Sequence, residues 1–254
     1  MSVTPHDSQV TILVKALPQP SKKYGETVCC AGVTPEGKWK RLYPVRFRHL
    51  HGDQSFHRWD LVNFKYRRPI HDQRAESCHV YEDSISILGA MPKSERNQMV
   101  ERMLVGSADE ASSRQQSLAL IRPLNTRFVF KKKPEGMIAK EKYAFKRAAS
   151  QGSFFDKELA AFTPSPFRFG FQFEDAAGKH VYQCGDWEVN AMFYNGNRRM
   201  GEHATLEWMS EVFNVTYPKL GMTFALGNLA KRPQTWQLLG VVRADDQLQS
   251  EFRL

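Results

Sequence analysis

Asp186, Trp187 and Glu188 follow Gly185 at the point where a helical pattern begins. These residue types can do chemistry. A carboxylate can activate water or stabilise a cationic transition state, and an indole can stack on a nucleobase. A helix starting at Asp186 also places Asn190 on the same face, and an Asp–Asn pair can hold a water or read a base edge. A structural reading fits equally well. Asp186 is a natural N-cap, Glu188 in the first turn suits the helix dipole, and Trp187 with Tyr194 would anchor the helix to a sheet. The catalytic expectation falls on Asp186, with Glu26 in reserve and Glu188 behind them.

Two other stretches carry candidate residues. In "PSKKYGETVCCAG", Lys22, Lys23, Tyr24 and Glu26 lie at a strand entrance. Lysines there would meet phosphate, Tyr24 would stack on a base, and Glu26 would read or activate it. The alternative is a solvated turn before a buried strand. In "ALGNLAKRPQTW", a strand ends at Asn228 and a basic loop follows with Lys231 and Arg232, and loops at strand ends often carry binding residues. A plain surface turn accounts for the same residues. Tyr24, Tyr43, Trp187, Asn190 and Asn228 together form the expected base pocket.

The elements that must position these residues follow from periodicity. Over the first 90 residues, short alternating runs such as "QVTILVKALP", "ETVCCAGV", "WKRLYPV" and "ESCHVYEDSISIL" predict a mostly antiparallel sheet or small barrel, with Pro44 ending the third strand. "MPKSERNQMVERM" predicts a helix with a core-facing methionine stripe. Strands around Pro123 and a basic helix from "AKEKYAFKRAAS" come next. "FRFGFQF" predicts a strand with its phenylalanines on one face, "KHVYQC" its hairpin partner, and two helices and two strands close the chain. The expected fold class is α+β: an N-terminal mostly antiparallel sheet or small barrel packed with a C-terminal α/β half. The boundary falls near 150, giving residues 1–150 and 151–254, or one continuous domain.

Charge points to the partner. The chain of 254 residues has 36 Lys+Arg against 27 Asp+Glu, a formal net charge of +9. Such a field draws polyanions, nucleic acid above all. Lys38, Lys40, Arg41, Arg46 and Arg48 form a run without an acid, and residues 125–150 carry net +6, including Lys131, Lys132 and Lys133. No apolar run suits a membrane span, and the N-terminus lacks signal-peptide character, so the expectation is a cytoplasmic protein with no membrane partner. The four cysteines show no C-x-x-C spacing, and Cys78 with His71 or His79 is a poor zinc set. No metal and no cofactor is expected. Motifs for NTPases, dinucleotide enzymes, zinc proteases and α/β-hydrolases are absent from the sequence.

Three blocks, "PSKKYGETVCCAGV", "RLYPVRFRHL" and the run from "GDWEVNAMFY" to "LLGVV", together resemble an uncharacterised bacterial family with P-S-K-K-Y-x-E-T-V-C, R-L-Y-P and D-W-E segments. The resemblance spans most of the chain and brings no activity with it. Cysteines and histidines precede D-W-E in that family; here "EDAAGKHVYQCGDWE" keeps His180 and Cys184, which speaks against a metal role. The opening strand–turn–strand also resembles modified-base readers of the PUA, ASCH and EVE kind. More faintly, the chain resembles phage-defence DNA glycosylases acting on hypermodified cytosine.

The expected function is therefore a DNA-binding enzyme, a glycosylase excising a modified base from foreign DNA. Its base would be flipped into a pocket while cations grip the backbone. A non-catalytic reader of modified DNA or of RNA, and a metal-dependent nuclease, are the alternatives. If about six cations neutralise phosphates, affinity should fall about three decades or more between about 50 and about 200 mM salt. Binding isotherms across that range test the electrostatic reading, which salt-insensitive binding would overturn.

Overall fold

The computed structural model describes residues 5–21, 24–149 and 162–244. In chain order these form β1 (His6–Lys15), β2 (Gln19–Ser21), β3 (Gly25–Val33), β4 (Trp39–Val45), β5 (Asp60–Arg67) and β6 (Ser77–Ala90). Then come α1 (Lys93–Met103), α2 (Ala108–Ser113), β7 (Leu118–Ile121), β8 (Leu124–Lys132) and α3 (Glu135–Ala149). The rest is β9 (Phe167–Asp175), β10 (Gly178–Gln183), α4 (Trp187–Met200), α5 (Glu202–Glu211), β11 (Met222–Leu229) and β12 (Arg232–Arg243). The fold is α+β, with a barrel-like N-terminal sheet and a C-terminal α/β half. By compactness the chain forms two units, each built from two stretches: Met1–Ala90 with Lys132–Phe167, and Met91–Lys131 with Arg168–Leu254.

In the first unit the strand order is β1-β5-β6-β4-β3-β2, and β1 also pairs with β3. That extra pairing closes five strands into a ring. All partners are antiparallel except β4 and β6, which run parallel from Arg41–Ser77 to Tyr43–His79. Alternation sends Val10, Ile12, Val28, Cys30, Leu42, Val62, Phe64 and Val80 into one core. Pro44 does not end β4 as the sequence suggested. The strand continues to Val45 through a cis Tyr43–Pro44 peptide. Helix α3 packs against β2 and β3 through Phe145 and Ala148, both buried.

The second unit has two three-stranded sheets, β10-β9-β8 and β12-β11-β7. The phenylalanine row of β9 is core, as its spacing predicts. Phe171 meets Phe224 of β11 at 5.0 Å between ring centroids, and Phe169 meets Phe193 of α4 at 5.5 Å. Phe128 and Phe213 stack into the same cluster at 5.0 Å. Beyond α5 the chain continues as a π-helical turn, Val212–Thr216, before β11. "ADEASSRQQS", readable as loop or frayed helix, forms α2, whose N-cap Ser107 accepts from Glu110 N–H at 3.1 Å.

Closure of the barrel depends on close backbone approach. A Cβ on Gly32 would lie 2.5 Å from the Thr11 carbonyl oxygen and 2.9 Å from Val10 Cβ. Gly32→Ala should therefore destabilise the chain by about 1–3 kcal/mol, the usual penalty of an overpacked core. Urea denaturation at constant slope measures it, and wild-type stability in the variant would contradict the close β1–β3 contact.

Candidate functional site

The structure gathers charged side chains at one end of the barrel. Alternation along β3 puts Glu26 on the same face as Val28 and Cys30, which line the core. Glu26 is itself buried, at 7% exposure. Its Oε2 accepts from Arg48 Nη1 at 2.7 Å. The guanidinium of Arg48 also sits over the Phe162 ring, 5.7 Å from its centroid, and Phe162 meets Phe145 of α3 edge-on at 4.9 Å. Glu26 Oε1 is buried and has no hydrogen-bond partner among the described residues.

Three more charged groups stand at the same end. Arg46, in the turn after β4, donates from Nε to Glu82 Oε2 of β6 at 2.9 Å, and its backbone N–H donates to Glu82 Oε1. Lys15, the last residue of β1, is buried, with its ammonium 5.8 Å from the Phe47 ring centroid. Lys15 and Glu82 were not singled out from sequence. The only hint was that Lys15 ends an otherwise apolar buried run, and Glu82 interrupts an alternating strand. Burial pushes the Cys30 thiol up, with Lys15 and Glu82 acting on it in opposite directions.

Arg41, Arg46 and Arg48 of the expected cation run are engaged within the protein, and Lys38 is exposed. Arg41 is buried in the barrel wall, with Nη1 3.8 Å from Cys29 Sγ. Burial pulls its pKa below the ordinary arginine value. Arg46 and Arg48 are held by carboxylates, and Lys133 Nζ donates to Glu141 of α3 at 2.7 Å. A cation already paired inside the protein releases few counterions from DNA. Lys131, Lys132, Lys231 and Arg232 are exposed, the last two at the β11–β12 turn. Lys22 and Lys23 lie outside the described residues.

The residues of the expected base pocket divide between the two units, Tyr24 and Tyr43 in the first. Tyr24 is half-buried and Tyr43 is 46% exposed, its hydroxyl 3.3 Å from Thr27 Oγ1. Thr27 and Glu26 are successive residues of β3 and point to opposite faces of the strand. Trp187, Asn190 and Asn228 belong to the second unit. Asn190 is buried and donates to the Asp186 carbonyl at 3.1 Å, and Asn228 donates its N–H to Ser117 at 3.0 Å.

Asp186 is a structural residue. Its side chain is fully buried. Oδ1 accepts from Glu188 N–H at 2.9 Å and caps α4, while Oδ2 accepts from Val241 N–H of β12 at 2.7 Å. Both oxygens thus meet backbone donors inside the core, which is the structural reading of this residue. Glu188, half-buried in the first turn of α4, sits where the helix dipole favours it. His180 is taken up by Asp175, Nε2 to Oδ1 at 2.8 Å, and Cys184 is buried. Burial pushes the Cys78 thiol up to about 11. Among the described residues no group of three or more His, Cys, Asp and Glu side chains could hold a metal, and no helix is long and apolar enough to cross a membrane.

Residues 99–254 match the family described as Domain of unknown function (DUF8757). The chain belongs to that family. Its residues 6–105, which contain the barrel strands and the Glu26–Arg48 pair, match a second one, Domain of unknown function (DUF8758). The DUF8757 stretch contains Asp186 and α4, so the helix cap lies in the part shared with that family. No curated protein matches the chain.

Asp186 gives a sharp test. In Asp186→Asn one amide oxygen can still cap α4, but the NH2 then faces the Val241 N–H, and two donors meet in the core. The expected loss is about 1–3 kcal/mol, the scale of an unsatisfied buried group, with nucleic-acid affinity unchanged per folded molecule. Denaturant melts paired with binding assays read both. A variant as stable as wild type would refute the clamp to β12.

Proposed function

We propose that this protein binds DNA and takes an unpaired, modified base at the charged end of the barrel, where Glu26 accepts from the base. The supporting observation is Glu26 Oε1, a buried carboxylate oxygen with no donor among the described residues. Such an oxygen costs stability unless something else supplies a hydrogen. Exocyclic amines of cytosine and adenine are donors of the right kind, and a carboxylate accepting from cytosine N4 is a common base contact. Arg48 holds the carboxylate in place and is itself steadied on Phe162. The pair is thinly covered, its side chains 16% and 9% exposed.

A second reading adds turnover. A fixed carboxylate beside an extruded nucleotide can stabilise the oxocarbenium-like charge that develops when the glycosidic bond breaks, or activate the attacking water. The protein would then be a DNA glycosylase with Glu26, not Asp186, as its catalytic carboxylate. The resemblance to phage-defence glycosylases makes hypermodified phage DNA the substrate to try first.

Purified protein is incubated with plain and hypermodified DNA in EDTA, and both gel shift and alkali-labile sites are scored. Binding without product supports the reader, and abasic sites support the glycosylase. Breaks that require added metal would oppose both. Glu26→Gln replaces one acceptor with a donor. It should erase roughly tenfold or more of the discrimination between modified and plain DNA, as expected for one base contact. In the glycosylase case turnover should fall by about two decades. Unchanged discrimination and turnover would remove Glu26 from the site.

A further inference from the structure

The outer face of α3 carries a cluster of exposed cations. Residues Phe145 and Ala148 of this helix are buried, with Met137, Ile138, Glu141 and Ala144 half-buried beside them. The opposite face exposes Lys140, Lys142, Tyr143, Lys146 and Arg147. At about 100° per residue these five fall on one arc in the order Lys142, Lys146, Tyr143, Arg147, Lys140, with Tyr143 at its centre. Neither Lys140, Lys142 nor Lys146 pairs with a carboxylate among the described residues, and the second acid of the helix, Glu141, is occupied by Lys133. Tyr143 is 66% exposed.

We infer that this face binds single-stranded nucleic acid, with Lys140, Lys142 and Lys146 on phosphates and Tyr143 stacked on a base. This deepens, and rests on, the reading of the barrel as the site of an unpaired base. A face that only gripped duplex phosphates would have no use for an exposed ring at the centre of its cations. Stacking needs a base freed from its pair, and aromatic rings set among cations are the means by which single strands are held. An anionic membrane is the weaker fit, because a membrane-binding helix turns an apolar face outward. Here the apolar residues of α3 are turned toward β2 and β3. The helix also has a mechanical link to the barrel site: Phe145 meets Phe162, and Phe162 carries the Arg48 that holds Glu26.

The full-length protein is titrated, by fluorescence anisotropy, into a single strand of about 12 nucleotides, a typical site size, and into its duplex. Anionic and neutral vesicles form a third arm. Wild type should prefer the single strand. Tyr143→Ala should weaken that binding about tenfold and leave the duplex nearly unaffected, while Tyr143→Phe, which keeps the ring, should bind as wild type. Joint replacement of Lys140, Lys142 and Lys146 by Gln should lower the slope of log affinity against log salt by about two. All these side chains are exposed, so thermal melts should match wild type and exclude misfolding. Wild-type affinity in Tyr143→Ala, a duplex preference, or capture by anionic vesicles but not by DNA would overturn the inference. Glu26→Gln separates the two readings. If it leaves base discrimination intact while the α3 variants weaken binding, the barrel reading fails and the α3 contact stands. If Glu26→Gln acts and the α3 variants do not, this inference fails.

Discussion

Strand β1 is hydrogen-bonded on both edges, to β5 from His6 to Thr11 and to β3 from Thr11 to Lys15. The two pairings, one on each edge, overlap at Thr11, and the sheet curls until its ends meet. The consequence reaches the candidate site through strand direction. β3 is antiparallel to β1 and to β4, and β6 is parallel to β4. The end of β1, the start of β3, the turn after β4 and the middle of β6 therefore arrive at one end of the barrel. Those positions hold Lys15, Glu26, Arg46 with Arg48, and Glu82. Their assembly is a product of closure, which is why a clash at Gly32 would disturb residues far from it in sequence.

Much of this was legible without coordinates. Short apolar and alternating runs bounded by turn residues located β1, β3, β4 and β6. The phenylalanine row of β9 announced a core as well. Asp186 was recognisable as a cap from its position before a helical pattern. What stayed hidden depends on long-range partners. Glu82 and Arg46 lie 36 residues apart, and neither carries a local sign of the other. The run from Lys38 to Arg48 looked like a phosphate stripe because sequence counts charges and does not show which are neutralised. Strand β4 carries Arg41 into the wall, and the turn after it brings Arg46 and Arg48 onto carboxylates.

Three buried carboxylates show how burial and hydrogen bonding together separate structure from function. Asp186 has a backbone donor on each oxygen, one from its own helix and one from β12. Asp175 keeps one buried oxygen without a donor among the described residues. Its other oxygen takes Ala177 N–H and His180 at 2.8 Å, all within one β-hairpin. Such a local turn forms wherever its hairpin forms, and it implies no further partner. Glu26 differs in where its surroundings come from.

Arg48, Phe162 and α3 reach Glu26 from separate stretches of chain, and they support only one of its oxygens. Removing one partner of a buried pair typically costs about 3–5 kcal/mol, so an arrangement of this kind is an expensive way to build a core. A hydrophobic residue in place of Glu26 would pack beside Val28 with no such liability. A carboxylate retained there, with an open acceptor and a steadied guanidinium, makes physical sense if a donor arrives from outside the fold. That is the reason for proposing Glu26, rather than the Asp-Trp-Glu step, as the group that meets a base.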